Sequence, residues 1–148
     1  MPTGTLRDTY VAALQHDLVD VDDADLVLGV VRRPTGWFSA VVDENEPALA
    51  PPADLLDDVQ RRKEDLKLAG LCDEGAHNAA WDETDFADRY LDYLDGDPDA
   101  ASAMNRVRAC LDAGEEVVLV CFENTAKKRC HRTLLAERLG RMDCHRSP

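Results

Sequence analysis

The sequence predicts a small α/β domain: a mainly parallel sheet flanked by helices, with more helix than strand. Three observations carry this. Leu26 to Val31 (LVLGVV) and Val117 to Val120 (VVLV) are apolar runs too short for helices and too apolar for edge strands, as central parallel strands are. Between them lie segments whose apolar residues recur at three- and four-residue spacing, which places them on one face of a helix. The chain has 148 residues and is 45% hydrophobic, enough for one domain with its own core.

Taken in order, Thr5 to Leu18 spaces Leu6, Tyr10, Ala13, Leu14 and Leu18 as a helix does in its second half, while Thr3 to Tyr10 can open as a short strand. The strand from Leu26 stops at Arg32-Arg33-Pro34, because proline cannot continue a central ladder. Residues 33 to 51 read as a long irregular connection, in which Trp37 and Phe38 argue for an ordered, packed loop. Pro51-Pro52 starts a helix with Asp54 in its first turn, and Gly70 caps its far end. LCDEGAHNAAWDE reads as a second irregular segment. Helices follow over Phe86 to Leu94 and Asp99 to Ala113, separated by Gly96-Asp97-Pro98 and closed by Gly114. A last helix covers Arg132 to Leu139. Residues 141–148 are a short tail of one domain that spans 1–148, either frayed or adding an edge strand.

The charge is lopsided: 30 acidic residues against 17 basic, net −13, with 21 aspartates, 9 glutamates and four lysines. Acidic residues occur in nearly every segment. Such a surface resembles that of cytoplasmic proteins of salt-accumulating halophiles, where multimolar salt shortens the Debye length to about 3 Å and self-repulsion is tolerable; the other reading is an acidic partner-binding protein. It argues against general DNA binding, which needs a basic face. No apolar run approaches the roughly 20 residues that span a bilayer, and no signal peptide is visible at MPTGTLRDTY. Five cysteines in such a chain do not suggest a disulfide framework.

Against this background the stretch Glu115 to Arg132, EEVVLVCFENTAKKRCHR, stands out. A buried strand delivers Cys121 and Glu123 to its carboxyl end, where ligands bind in open α/β sheets. Lys127, Lys128 and Arg129 lead to Cys130-His131-Arg132 at a helix start. Helix N-termini favour anions and thiolates, so Cys130 is a candidate nucleophile. Packing at a strand–helix turn is the plain alternative. Glu123 is a candidate base or a partner for the loop cations, and His131 an acid or base. Cys121 serves either as a second thiol or simply as a small core residue. Arg129 and Arg132 are candidate anion ligands, joined by Arg32 and Arg33 if the two strands are parallel neighbours. His77, Asn78 and Trp81, with Trp37, lie in the irregular segments and are candidates for a site loop. No cofactor is expected. Zinc is the alternative, on Cys121, Cys130, Cys144 and one of His131 or His145, although the spacings match no standard ligand knuckle.

The combination of strand, Cys-Phe-Glu, short loop and Cys-His-Arg resembles the domain-of-unknown-function 488 family. There an apolar strand ending in Cys-x-Glu leads to Cys-His-Arg, and an earlier strand ends in an arginine segment before proline. Here these are Cys121, Glu123, Cys130, His131, Arg132 and Val31-Arg32-Arg33-Pro34. The resemblance covers about residues 5 to 140 and implies a Rossmann-like domain, but no established reaction. The family's N-terminal strand looks replaced here by something more helical, and the strand after the last helix is nearly absent. The expected function is binding of a small anionic ligand, bearing phosphate or carboxylate, with Cys130 as a reactive thiolate. The alternatives are a zinc-binding or structural interaction module, and an accessory to nucleic-acid processing.

Overall fold

The computed structural model describes residues 4–122 and 128–144, with side chains to residue 140. Among these residues the strands are β1 (Thr5–Tyr10), β2 (Leu26–Gly29), β3 (Glu44–Asn45) and β4 (Glu116–Cys121). They form one sheet of order β1-β4-β2-β3, every pair parallel. The helices are α1 (Val11–Gln15), α2 (Gly36–Ser39), α3 (Ala53–Leu68), α4 (Asp73–Glu83), α5 (Phe86–Gly96), α6 (Pro98–Asp112) and α7 (His131–Cys144). This is the helix-rich, parallel α/β fold that the apolar runs predict. No helix among the described residues is long and apolar enough to cross a membrane.

β4 lies between β1 and β2, and Val117 to Cys121 are all buried. That explains its unbroken apolar run: a strand covered on both faces has no solvent side to alternate with. The register brings Tyr10 beside Cys121 and Gly29 beside Val120, so three carboxyl ends meet along one rim. Two neighbours crowd the end of β2. The Phe38 ring and Asn45 Oδ1 stand where a Cβ on Gly29 would be, at 2.5 and 2.7 Å. Asn45 then mimics a strand for Val31, its amide donating to the Val31 carbonyl (2.8 Å) and accepting from the Val31 amide (3.2 Å).

Three expectations need correction. The N-terminal strand is present over six residues, and the helical spacing belongs to the short α1 after it. The connection from 33 to 51 holds α2, β3 and a 3₁₀ turn at Pro47–Leu49, fixed by Tyr90 and Tyr93 hydroxyls donating to the Leu49 and Ala48 carbonyls (2.5 and 2.8 Å). The segment read as irregular around His77 is α4. Its start is capped by sulfur, with Cys72 Sγ accepting from the Gly75 amide at 3.3 Å, and Asp73 and Glu74 occupy its first turn. The helix from Pro52, the break at Asp97 and the αL closures at Gly70 and Gly114 follow the sequence reading. The last helix runs past Leu139 and takes in 141–144 of the expected tail, and the remainder of that tail, 145–148, lies outside the described residues.

Candidate active site

β4 hands over at Cys121, and α7 begins one residue after Cys130. Their sulfurs lie 2.7 Å apart, both buried. Arg132, on the first turn of α7, turns back under this pair. Its Nε donates to Asp8 on β1 at 2.8 Å, and its Nη1 donates to the Thr9 carbonyl and to Cys121 Sγ (3.3 Å). The guanidinium donates to Cys121 Sγ, and across the pair either thiol can be the donor.

His131 completes the arrangement. Its Nε2–H donates to the Val30 carbonyl at 2.5 Å, which leaves Nδ1 as the acceptor, 3.6 Å from Cys130 Sγ. Burial lowers its pKa to about 4, the Val30 hydrogen bond opposing and Arg132 adding to the fall. The imidazole is therefore neutral at pH 7. Burial also pushes the Cys130 thiol well up, reinforced by the contact with Cys121 and only partly offset by Arg132. Burial thus opposes the expected helix-activated Cys130 thiolate. Desolvation outweighs the cations, since Lys128 turns to Asp73 (2.5 Å) and Arg129 to Asp82.

A cavity of about 340 Å³ opens above the pair, at the carboxyl ends of β2 and β4. Cys121, Cys130 and His131 line it, as do Arg32, Arg33, Lys63 and Arg129; Asp57 is the one carboxylate in its wall among the described residues. Trp81, Phe86 and Phe122 supply aromatic surface, and Trp37 meets Phe122 edge-on at 5.7 Å. His77 and Asn78 grip the approach to Cys130, through the Arg129 carbonyl (2.7 Å) and amide (3.0 Å). His77 also lines the cavity, so α4 serves the site much as the expected loop would.

This geometry comes from a strand–loop–helix turn that ends in Cys-His-Arg, read against an all-parallel sheet. The family model DUF488-N3a, described as the active DUF488-N3 subclade, matches residues 10–143. The chain belongs to the DUF488 family. No match was found among curated proteins or among solved structures.

In this DUF488 domain the arginines divide. Arg33 is exposed, with a long 3.7 Å contact to Asp57. Arg32 spends its donors on the Pro51 and Ala50 carbonyls and the Tyr93 hydroxyl, and has no carboxylate partner among the described residues. Arg132 corrects the sequence reading: it is 2% exposed, does not line the cavity and ties α7 to β1. Glu123, Lys127 and His145 lie outside the described residues, as does the Cys144 side chain. Of the alternative zinc set, Cys121, Cys130 and His131 are therefore described, and no group of three or more His, Cys, Asp or Glu suited to a metal occurs among the described residues. Sequence reading missed Asp8, Lys63 and Phe122. Asp8 carried a signal, as a charged residue near the carboxyl end of a strand.

Proposed function

We propose that this DUF488 domain binds a small anionic ligand, bearing phosphate or carboxylate, over a buried thiol pair that does chemistry on it. One observation carries the reading. In a chain of net charge −13 the described residues of the cavity wall invert the sign, with four arginine or lysine side chains against a single aspartate. A cleft of one sign with low-dielectric walls concentrates ligands of the other. The floor adds a reason for binding there: Cys130 in contact with both Cys121 and a neutral His131, a set that packing alone does not require. The description of the subclade as active is in keeping with a catalytic site.

Arg33 is the side chain to test, because its exposure makes Arg33→Ala harmless to the fold. Inorganic phosphate and citrate, followed by calorimetry at constant chloride, should bind the native protein, and Arg33→Ala should weaken them about tenfold. Equal affinity in the variant, or no heat with either anion, would count against the reading.

The same composition supports a protein adapted to concentrated salt in a reducing cytoplasm. Cys72, Cys110, Cys121 and Cys130 are all free thiols. Three of the four lysines, Lys63, Lys67 and Lys128, converge on Asp73 and hold its carboxyl below the usual carboxylate range. Most of the 30 acids are thus left without a lysine to offset them. The thermal midpoint should rise steeply from low to multimolar potassium chloride. A flat response would remove this reading.

A further inference from the structure

We infer that Cys121 and Cys130 are a dithiol that exchanges with a small disulfide carrying anionic groups, Cys121 attacking first and Cys130 resolving. The assignment of roles comes from the neighbours of each sulfur. Cys121 Sγ receives a guanidinium N–H from Arg132 at 3.3 Å and stands 2.7 Å from the Cys130 thiol, so negative charge on it meets two donors. Cys130 Sγ receives the backbone N–H of Arg132 but also faces an acceptor, His131 Nδ1 at 3.6 Å, towards which its thiol hydrogen can point. Val30 holds that tautomer from the other side of the ring. The two sulfurs need side-chain movement of under about 1 Å to reach bonding distance. Both line the cavity, so a disulfide entering there meets them directly.

The steps balance. The Cys121 thiolate attacks one sulfur of R–S–S–R, forming Cys121–S–S–R and expelling RS⁻, which takes up the proton that Cys121 had lost. Cys130 then attacks the Cys121 sulfur, the bond to R breaks, and the departing second RS⁻ takes up the proton that Cys130 loses. The protein is oxidised to a Cys121–Cys130 disulfide, and one R–S–S–R is reduced to two RSH. Lys63, Arg32 and Arg33 in the cavity wall select for carboxylate or phosphate on R. This selectivity rests on the anionic-ligand reading above; the dithiol chemistry does not.

The test compares two disulfide probes of opposite charge, glutathione disulfide and cystamine. It is done on the full chain at the lowest salt that keeps native circular dichroism. Peptide mass mapping tracks Cys121–Cys130 cross-linking, and released thiol is counted. We expect the cross-link with two thiols released, formed about tenfold faster by glutathione disulfide than by cystamine. A net charge of −13 alone would give the reverse order. Cys130→Ser should accumulate a mixed disulfide at Cys121, and Cys121→Ser should not form one at Cys130 at a comparable rate. Cross-linking at equal rates by both probes would leave the dithiol standing and remove the anionic-ligand reading. If native protein forms no cross-link, or a mixed disulfide only at exposed Cys72, the dithiol assignment is overturned whatever the serine variants do.

Discussion

Lowering the pH from 7 to 4 should cost this fold about 3 kcal/mol through His131 alone. The sign depends on which state can take up the proton. In the unfolded chain the imidazole titrates near its ordinary value of 6.5, whereas in the native protein it titrates at about 4. Between those values the unfolded state binds a proton that the folded state refuses. The stability from a neutral His131 is therefore complete above 6.5, declines through the window and is gone once the pH has fallen past 4. The cause is burial against Tyr90, whose ring meets the imidazole edge-on at 5.5 Å, with Arg132 adding like charge. Denaturant unfolding at half-unit steps between pH 7 and 4.5 measures the slope. His131→Asn should be less stable at pH 7, yet lose stability more slowly over that range, by about one proton fewer. Parallel slopes for the two proteins would show that the imidazole does not titrate differently on folding. The same neutrality leaves Nδ1 as an acceptor for the Cys130 thiol.

Replacing Arg132 should produce a second large effect, on stability before ligand binding. Its side chain is almost wholly enclosed, and it links α7 to two successive residues of β1, Asp8 and Thr9. Arg132→Leu should destabilise by about 3 kcal/mol, because it strands the buried Thr9 carbonyl and the Asp8 carboxylate that the guanidinium satisfies. Arg132→Lys should recover only part, since one ammonium cannot span the fork of contacts to Asp8, Thr9 and Cys121. Equilibrium denaturation compares the three proteins. A leucine variant as stable as the parent, but with weakened phosphate binding, would restore the role that the bare sequence suggests for this arginine, that of an anion ligand at a helix start.

How far the sequence is legible depends on where the determining interactions lie. β2, β4, α3 and α6 are plain in the pattern, because their stabilisation comes from burying residues that are periodic along the chain. α4 is not. Its buried face consists of Ala76, Ala80 and Trp81, a weak stripe beside Gly75 and Asn78, and its cap is a cysteine rather than serine or aspartate. Partners far along the chain hold it: Arg62 pairs with Glu83, three lysines reach Asp73, and Trp81 stacks on Phe86 with centroids 3.9 Å apart. β1 is half visible, since Leu6, Asp8 and Tyr10 alternate as a strand does, while Leu6 and Tyr10 also fit a helical spacing that continues into α1.

The sequence by itself determined the parallel α/β class, the family motif and the rim on which chemistry-bearing residues gather. These depend on short-range pattern and on the rule that parallel strands present their carboxyl ends together. Where each of those residues sits, and what it contacts, is set by the tertiary fold. Arg132 and Arg33 are the same residue type at equally suggestive positions, yet one is sealed beneath the sheet by Asp8 and the other faces the cavity mouth. Cys130 sits at a helix start beside cations, as a low-pKa thiol would, and burial reverses the consequence. Charge, tautomer and nucleophilicity depend on desolvation and on contacts across more than a hundred residues, and a linear sequence does not display those distances.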